Sequence, residues 1–220
     1  MSREVAARTI LAGGVLVNGA IVDKPAKLVP LDAQIEIEKP APFVSRSGEK
    51  LAAALDVGCS TGGFTDCLLQ RGANRVYAVD VGYGQIDWRL RQDERVVLLE
   101  RTNIRHMDAT MIPEPIDLAV IDVSFISLTL VLPCVVPFLR QDARVVALVK
   151  PQFEVGKGQV GAGGIVRDDA QREAVTRKVI ACAARLGLHN TGVIDSPVKG
   201  RKGNREILVG FQRRGIISPS

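Results

Sequence analysis

The sequence predicts an α/β protein with a Rossmann-like, seven-stranded, mostly parallel sheet, preceded by a small α+β module. From Asp56 onward, short β-rich runs alternate with helical stretches, a pattern typical of a parallel sheet covered by helices. Residues 1–38 follow another pattern, in which two short apolar runs flank Asn18-Gly19 and predict a tight hairpin. The 220 residues, 46% of them hydrophobic, are enough for one full domain and a small second one.

The amino-terminal module should contain a helix over 2–11, the hairpin around Asn18-Gly19 and a third strand over 33–38. A stiff, proline-containing segment over 39–43 follows and reads as a linker. We therefore predict domains over 1–38 and 44–214. A piece of about forty residues rarely holds a core alone, so we expect its neighbour to support it.

Seven β-rich runs predict the strands of the main sheet. They are residues 54–57, 75–80, 96–99, 117–123, 145–150, 191–195 and 205–211. The best-marked helix covers 168–186, because Asp168 can cap its start and Gly187 follows its last apolar position.

Composition excludes several classes of protein. The longest apolar stretch, 118–139, carries Asp122 and is interrupted by Pro133 and Pro137, so it predicts a strand and a helix rather than a membrane span. No cationic, apolar leader opens the chain, which favours the cytoplasm and reduced cysteines. Four cysteines without a C-x-x-C pair and only two histidines predict no metal site. The net charge of +5 mildly favours polyanions such as RNA.

A glycine-rich turn between a strand and a helix is the first candidate binding element. It reads Asp56-Val-Gly58-Cys-Ser60-Thr-Gly62-Gly63-Phe64, and Asp80 ends the next strand, where a carboxylate can accept hydrogen bonds from ribose hydroxyls. The two features indicate a nucleoside-containing cofactor. Because the glycine spacing is not G-x-G-x-x-G, S-adenosylmethionine is favoured over NAD. A purely structural turn with a solvated aspartate is the alternative.

Two further strands each end in a charged residue, Asp122 and Lys150. A lysine that closes an apolar strand needs a nearby carboxylate, so we expect the two side chains to meet at the ligand-binding edge of the sheet. Glu206 begins the last strand and reaches the same edge if that strand is antiparallel. The alternatives are a catalytic group and a structural ion pair.

A basic loop, Lys199-Gly-Arg201-Lys202-Gly-Asn-Arg205, could follow a phosphate backbone, and Arg46 adds a charge elsewhere. Such clusters are as often solvated faces, so this loop alone does not decide between RNA binding and solubility.

Taken together, these residues resemble the TlyA family of ribosomal RNA 2′-O-methyltransferases, several of which carry the name haemolysin. The family is built on the FtsJ-like methyltransferase domain. The resemblance covers residues 44–211 and rests on the turn over 56–66 and on Val44-Ser-Arg-Ser-Gly-Glu-Lys50, Ala78-Val-Asp80-Val-Gly-Tyr-Gly84, Leu99-Glu-Arg-Thr-Asn103, Ile121-Asp122-Val-Ser-Phe125, Val149-Lys150-Pro-Gln-Phe-Glu154 and Gly203-Asn-Arg-Glu206.

The resemblance implies a role for each matched residue. The catalytic set would be Lys50, Asp122, Lys150 and Glu206. The S-adenosylmethionine site would comprise Asp56, Gly58, Ser60, Gly62, Gly63, Phe64, Asp80, Asn103 and Asp122. RNA contacts would come from Arg46, Lys199, Arg201, Lys202 and Arg205.

It also implies an S-adenosylmethionine-dependent methyltransferase sheet whose last strand is antiparallel, and an amino-terminal module of the ribosomal S4 RNA-binding type. The expected reaction is methylation of the ribose 2′-hydroxyl of cytidine in ribosomal RNA, with ribosomal RNA or subunits as partners and neither metal nor membrane. The alternatives are a non-catalytic RNA-binding protein of the same fold and a membrane-active haemolysin.

The sequence departs from the family pattern in two places. The small domain lacks the opening helix with which members begin. Lys50 also runs into Asp56-Val-Gly58 after five residues, where the family has the rest of a helix, a turn and half a strand. At about 3.3 Å per residue, this spacing would hold Lys50 down the strand and away from the cleft. If the deletion relative to the family is real, Lys50 loses its role and the sheet loses its central strand.

Overall fold

A computed structural model describes residues 10, 15–22, 24–30, 32–37, 51–156, 160–198, 200 and 203–214. It divides into two compact units, residues 1–49 and 50–220. The predicted linker over 39–43 and nearly all of the predicted helix over 2–11 lie outside the described residues. The boundary between the two predicted domains therefore stays a prediction.

The first unit contains a three-stranded antiparallel sheet. Its strands are β1 (Val15–Val17), β2 (Ala20–Ile21) and β3 (Ile35–Ile37), in the order β2-β1-β3. Asn18 and Gly19 both have positive φ, 51° and 76°, as a two-residue hairpin turn requires. Asn18 Oδ1 also accepts a hydrogen bond from Gln34 N at 2.9 Å, which ties the turn to the approach of β3. The predicted hairpin is thus confirmed.

The second unit is built on a seven-stranded sheet. Its strands are β4 (Ala53–Val57), β5 (Arg75–Val79), β6 (Val96–Leu99), β7 (Ile116–Ile121), β8 (Leu139–Val149), β9 (Leu188–Asp195) and β10 (Ile207–Arg213). Its helices are α1 (Gly63–Gln70), α2 (Trp88–Arg91), α3 (Leu128–Val135), α4 (Pro151–Glu154) and α5 (Asp169–Arg185). Short 3₁₀ turns cover Ile104–His106, Ala109–Met111, Val136–Phe138 and Ala162–Gly164.

The strand order is β6-β5-β4-β7-β8-β10-β9. Pairs among β4 to β8 are parallel, and β10 runs antiparallel to both of its neighbours. The predicted fold class, including the antiparallel last strand, is confirmed. The strand order reverses at β4 and β7, because β5 and β6 follow β4 on one side and β7 lies on its other side. In such sheets ligands bind in the crevice at the carboxyl ends of the two strands where the order reverses.

The central strand, predicted over 54–57, is present. β4 lies between β5 and β7, pairs with both in register, and is fully buried from Ala53 to Val57. The run Ala-Ala-Leu-Asp-Val serves as a short strand because its small and apolar side chains fit between two covered faces. The short connection before Asp56 thus leaves the sheet continuous.

Two other strands are longer than predicted. β8 begins at Leu139 rather than 145, and β9 begins at Leu188 rather than 191. The added residues are mostly polar and exposed, so hydropathy alone did not mark them as strand. Main-chain pairing extends both strands. Leu139 of β8 pairs with Ile116, and Leu188 of β9 pairs with Arg213.

Helix α5 matches its prediction closely. The Asp168 carboxylate accepts a hydrogen bond from Ala170 N at 2.8 Å, and the positive φ of Gly187 (77°) ends the helix. Its buried face, including Val175 and Val179, packs in the larger of two hydrophobic clusters that cover the sheet. In the part of the chain that the structure describes, no helix is long and apolar enough to cross a membrane.

Candidate methyl-transfer site

A cavity of about 930 Å³ opens at the carboxyl ends of β4, β5 and β7. Its wall includes the glycine turn after β4, the end of β5 at Asp80, the turn at Asn103 and the end of β7 at Asp122. The strand-end residues that the sequence marked are therefore brought together, as the parallel topology requires.

The glycine turn closes tightly over the sheet. Gly58 has φ of 84°, and a Cβ on it would lie 2.3 Å from the Asp122 carbonyl oxygen. Gly62, with φ of 95°, packs against the Leu90 and Ile86 side chains in the same way. Only glycine fits at these two positions, because any side chain would meet a strained backbone and an occupied neighbour.

Asp80 shapes the opposite wall of the cavity. Its two carboxylate oxygens accept hydrogen bonds from Ser60 N at 2.8 Å and Gly82 N at 2.7 Å. The same side chain thus fixes the glycine turn and the loop after β5. Because each carboxylate oxygen accepts more than one hydrogen bond, Asp80 can still bind ribose hydroxyls.

Asp56 lies behind the cavity and is fully buried. One carboxyl oxygen accepts a hydrogen bond from Thr65 Oγ1 at 2.6 Å, and the other has no hydrogen-bond partner in the structure. Burial raises the pKa of Asp56 from 3.8 to about 6, and the nearby charge of Asp122 adds to the effect. Burial likewise raises the pKa of Cys59 to about 12, so that thiol is no nucleophile at neutral pH.

Lys150, at the end of β8, forms an ion pair with Asp122, at the end of β7, as expected. Lys150 Nζ lies 2.6 Å from Asp122 Oδ1 and donates a hydrogen bond to Ser124 Oγ at 3.0 Å. Both partners line the cavity, so the amine is held at its edge.

Glu206 approaches the same amine from the antiparallel strand. Ile207 pairs with Val149, which places Glu206 opposite Lys150 just beyond the ladder. The Glu206 side chain is buried and accepts a hydrogen bond from the Gln152 side chain. Burial raises the pKa of Glu206, while the positive charge of Lys150 acts in the opposite direction. The amine is thus paired with Asp122 and lies within electrostatic range of Glu206 beside the cavity.

The predicted cofactor residues occupy two layers. Gly58, Ser60, Asp80, Asn103 and Asp122 line the cavity. Asp56, Gly62, Gly63 and Phe64 lie in or behind the turn, and Phe64 packs against the smaller hydrophobic cluster. The second layer shapes the turn.

Several predicted residues fall outside the described part of the chain, namely Arg46, Lys50, Lys199, Arg201 and Lys202. The residue that follows Lys50, Leu51, lies at the amino edge of the sheet. Its carbonyl oxygen accepts a hydrogen bond from Asn74 N, just before β5 begins. That edge is opposite the cavity. The role of Lys50 stays a prediction without support from its neighbour.

Arg205 is described, and its guanidinium contacts two carboxylates. It donates to Asp169 at 3.1 Å and to Asp195 at 3.0 Å, and Arg172 binds the same two acids at 2.6 Å each. The four side chains form a closed ring of alternating charges. Arg205 therefore has a structural contact that the basic run did not indicate, and RNA binding by it stays a prediction.

Sequence reasoning missed Phe125 as a candidate site residue. Its side chain is 88% exposed, its φ is 64°, and its ring lies 4.9 Å from that of Phe153 at the cavity wall. An aromatic ring held in the left-handed region at such a position is a surface on which a base can stack. Phe125 could have been found from its place in the motif that contains Asp122. The exposure of its ring could not, because that depends on the tertiary structure.

The sequence matches the FtsJ-like methyltransferase family over residues 26–213. The chain belongs to this family. Residues 2–35 also match the S4 domain family. This FtsJ-like methyltransferase is 47% identical to the 16S/23S rRNA (cytidine-2′-O)-methyltransferase TlyA of Mycobacterium tuberculosis, over 94% of this chain and 83% of that protein.

Solved structures share the fold of this chain. A hemolysin-named protein from Lactococcus lactis is 45% identical, with a TM-score of 0.73 over 76% of this chain and 80% of that one. The N-methyltransferase NodS of Bradyrhizobium japonicum, solved with S-adenosylhomocysteine, shares the fold at 17% identity, with a TM-score of 0.55 over 76% of this chain and 80% of that one.

The cavity of this FtsJ-like methyltransferase fits the cofactor that its fold family uses. The close approach of Gly58 to β7 leaves the turn backbone facing the cavity, and Asp80 supplies acceptors for a ribose. Among the described residues, no group of three His, Cys, Asp or Glu side chains could hold a metal ion.

Proposed function

We propose that this protein transfers a methyl group from S-adenosylmethionine to the ribose 2′-hydroxyl of cytidine in ribosomal RNA. The observation that carries the proposal is the position of Lys150, whose amine is held at the cavity edge by Asp122 and faced by Glu206. The named activity of the TlyA relative supports the substrate. A ribosomal substrate implies that the protein works in the cytoplasm.

The cofactor would supply a methyl group activated by a sulfonium, and Gly58, Ser60, Asp80, Asn103 and Asp122 would hold it. The side chains of the protein then have to orient a weak nucleophile. Lys150 Nζ donates a hydrogen bond to the hydroxyl oxygen and stabilises the negative charge that develops on it. As the oxygen–methyl bond forms, the sulfur–methyl bond breaks and the hydroxyl proton is released to solvent. Asp122 and Ser124 fix the direction of the amine, and ionised Glu206 balances its charge.

The target base also needs a binding surface near this amine. Phe125 and Ser124 are exposed, adjacent and part of the cavity wall. We assign Phe125 as the stacking surface for the base of the modified nucleotide, because stacking tolerates an exposed ring and would hold the sugar beside Lys150.

The Lys150→Ala variant tests the proposal. We expect it to bind S-adenosylmethionine as the wild type does, because Lys150 is absent from the cavity wall, and to lose methyl transfer to ribosomal subunits by at least about 100-fold. Transfer of tritium from the labelled cofactor, followed by mapping of 2′-O-methylated positions, measures the loss. Wild-type transfer by this variant would remove Lys150 from the mechanism, and no transfer by the wild-type protein would overturn the proposed reaction.

A further inference from the structure

The position of the Glu206 carboxylate depends on a side chain that can rotate about several bonds. The residue is only 7% exposed, and its carbonyl oxygen accepts a hydrogen bond from Ser196 N at 2.8 Å. Its backbone is therefore fixed at the start of β10. The side chain still has rotatable bonds that could carry the carboxylate away from Lys150, so something must restrict them.

Gly200 lies directly against this carboxylate. A Cβ on Gly200 would lie 2.0 Å from Glu206 Oε1, 2.5 Å from Cδ and 3.1 Å from Cγ. These three nearest atoms all belong to the Glu206 side chain. The φ of Gly200 is outside the positive range that favours glycine. The backbone thus does not require glycine at position 200, whereas the Glu206 carboxylate does.

Other contacts prevent the Gly200 backbone from moving away. Gly200 N donates to Asn204 O at 2.8 Å, and Gly203 N donates to Gly200 O at 2.9 Å. The Asn204 side chain is buried, accepts from Val166 N at 3.1 Å and donates to Gly164 O at 3.0 Å. Gly200 is therefore tied to Gly203 and Asn204, and Asn204 is anchored to the segment before α5.

We propose that Gly200 is a positioning residue, whose backbone forms the wall that keeps the Glu206 carboxylate next to Lys150. The inference rests on the proposed function, because it assumes that Glu206 and Lys150 act together on the ribose hydroxyl. This role explains why position 200 is glycine although its backbone conformation is open to any residue. The Glu206 carboxylate occupies the space that a side chain at position 200 would need.

The Gly200→Ala variant is the direct test. The added methyl group must displace the Glu206 carboxylate, which is the mobile end of a side chain, so the unfolding temperature should stay close to that of the wild type. The kcat should fall about 10- to 100-fold, as expected for a misplaced group, while the KM for S-adenosylmethionine is unchanged. Gly192→Ala is the matched control, because Gly192 also has an ordinary φ and no atom within 4 Å of its Cβ position. It should keep the wild-type kcat.

A double variant separates positioning from a general structural role. In a Glu206→Ala background the carboxylate is gone, so Gly200→Ala should cause no further loss in single-turnover transfer or in unfolding temperature. Equal losses of stability in both backgrounds would overturn the inference, as would a wild-type kcat for Gly200→Ala. If Lys150→Ala loses transfer and Gly200→Ala does not, only this inference fails. If Lys150→Ala retains transfer, the proposed function fails first.

Discussion

At Asp56, a buried carboxyl group sits at the centre of the binding edge with one oxygen left without a hydrogen bond. Its pKa of about 6 means that burial penalises the charged form in the folded state. Because the pKa is raised by folding, the favourable contribution of the protonated form is complete below about pH 4 and is lost as the pH rises through about 6.

The Asp56→Asn variant should remove this pH dependence. Relative to Asp56→Asn, the wild-type protein is expected to lose about 2–3 kcal/mol of unfolding free energy between about pH 4 and about pH 7. Urea unfolding of both proteins across this range measures the difference, with other titrating groups cancelling in the comparison. Parallel curves would show that Asp56 titrates normally.

The raised pKa of Glu206 predicts a pH effect on activity. Its raised pKa places the loss of its negative charge closer to neutral pH than for an ordinary glutamate. As the pH falls through that pKa, Lys150 loses one of its two acidic partners and kcat should decline. In Glu206→Gln the kcat should be lower throughout, and this acid limb should be absent; an unchanged limb would assign it to another group.

At the scale of single residues, the sequence indicated Asp122 and Lys150 because each follows a parallel strand, and Glu206 because it precedes an antiparallel one. This topology brings all three to one edge of the sheet. It could not indicate that Ser124 receives a hydrogen bond from Lys150, or that Phe125 is exposed at a positive φ. Both depend on how the loop after β7 turns, which hydropathy patterns do not encode.

Among the elements, helix α3 depends on an acid from another segment. Glu154, which ends α4, is buried and accepts hydrogen bonds from Leu128 N at 2.7 Å and Ser127 Oγ at 2.5 Å. Burial raises the pKa of Glu154 against these hydrogen bonds. The Ser127 hydroxyl caps α3 locally by accepting a hydrogen bond from Thr129 N at 3.2 Å, and Glu154 adds a second cap from another segment at Leu128 N. Glu154 thereby also fixes the chain shortly after Phe125.

Removing this carboxylate should destabilise the fold and loosen the site. Glu154→Ala leaves a buried N–H without a partner, so we expect a loss of about 2–3 kcal/mol in unfolding free energy. Glu173→Ala is the control, because Glu173 and its partner Arg177 are both about 70% exposed, and it should change stability by less than about 0.5 kcal/mol. A small effect for Glu154→Ala would mean that water replaces the carboxylate as the cap.

The element boundaries show where sequence reasoning ends. Helix α5 was predicted to within one residue at each end because its start and stop signals are local. The start of β8 was missed by six residues because Leu139 joins the sheet through main-chain pairing with Ile116, a long-range contact. The central strand was predicted over 54–57, and the departure from the family spacing just before it does not remove it, because Ala53 to Val57 form the fully buried strand β4.

For the whole molecule, the net charge of +5 does not indicate which basic side chains are free to bind RNA. Arg205 lies in a ring of two arginines and two aspartates, whereas Arg105 is exposed on the cavity rim. The ring joins residues far apart in the sequence, so a basic run cannot reveal it. Charge counting therefore has to be followed by contact geometry.

Salt dependence of RNA binding distinguishes the two arginines. Plots of log affinity for ribosomal RNA against log salt, between about 50 and 200 mM, should be linear. Arg105→Ala should reduce the slope by about one, and Arg205→Ala should leave it unchanged. A reduced slope for Arg205→Ala, in a protein whose unfolding temperature is normal, would show that phosphate replaces its aspartate partners.

If Glu206 acts as proposed, the insertion of β10 between β8 and β9 affects when the enzyme can start to work during its own synthesis. A growing polypeptide that has left the ribosome only as far as β9 would possess the cofactor cavity and the Asp122–Lys150 pair, but no Glu206, and β9 would have no strand to join. Competence would therefore arise late, in a single docking event. A nascent protein could capture its methyl donor well before it could use it.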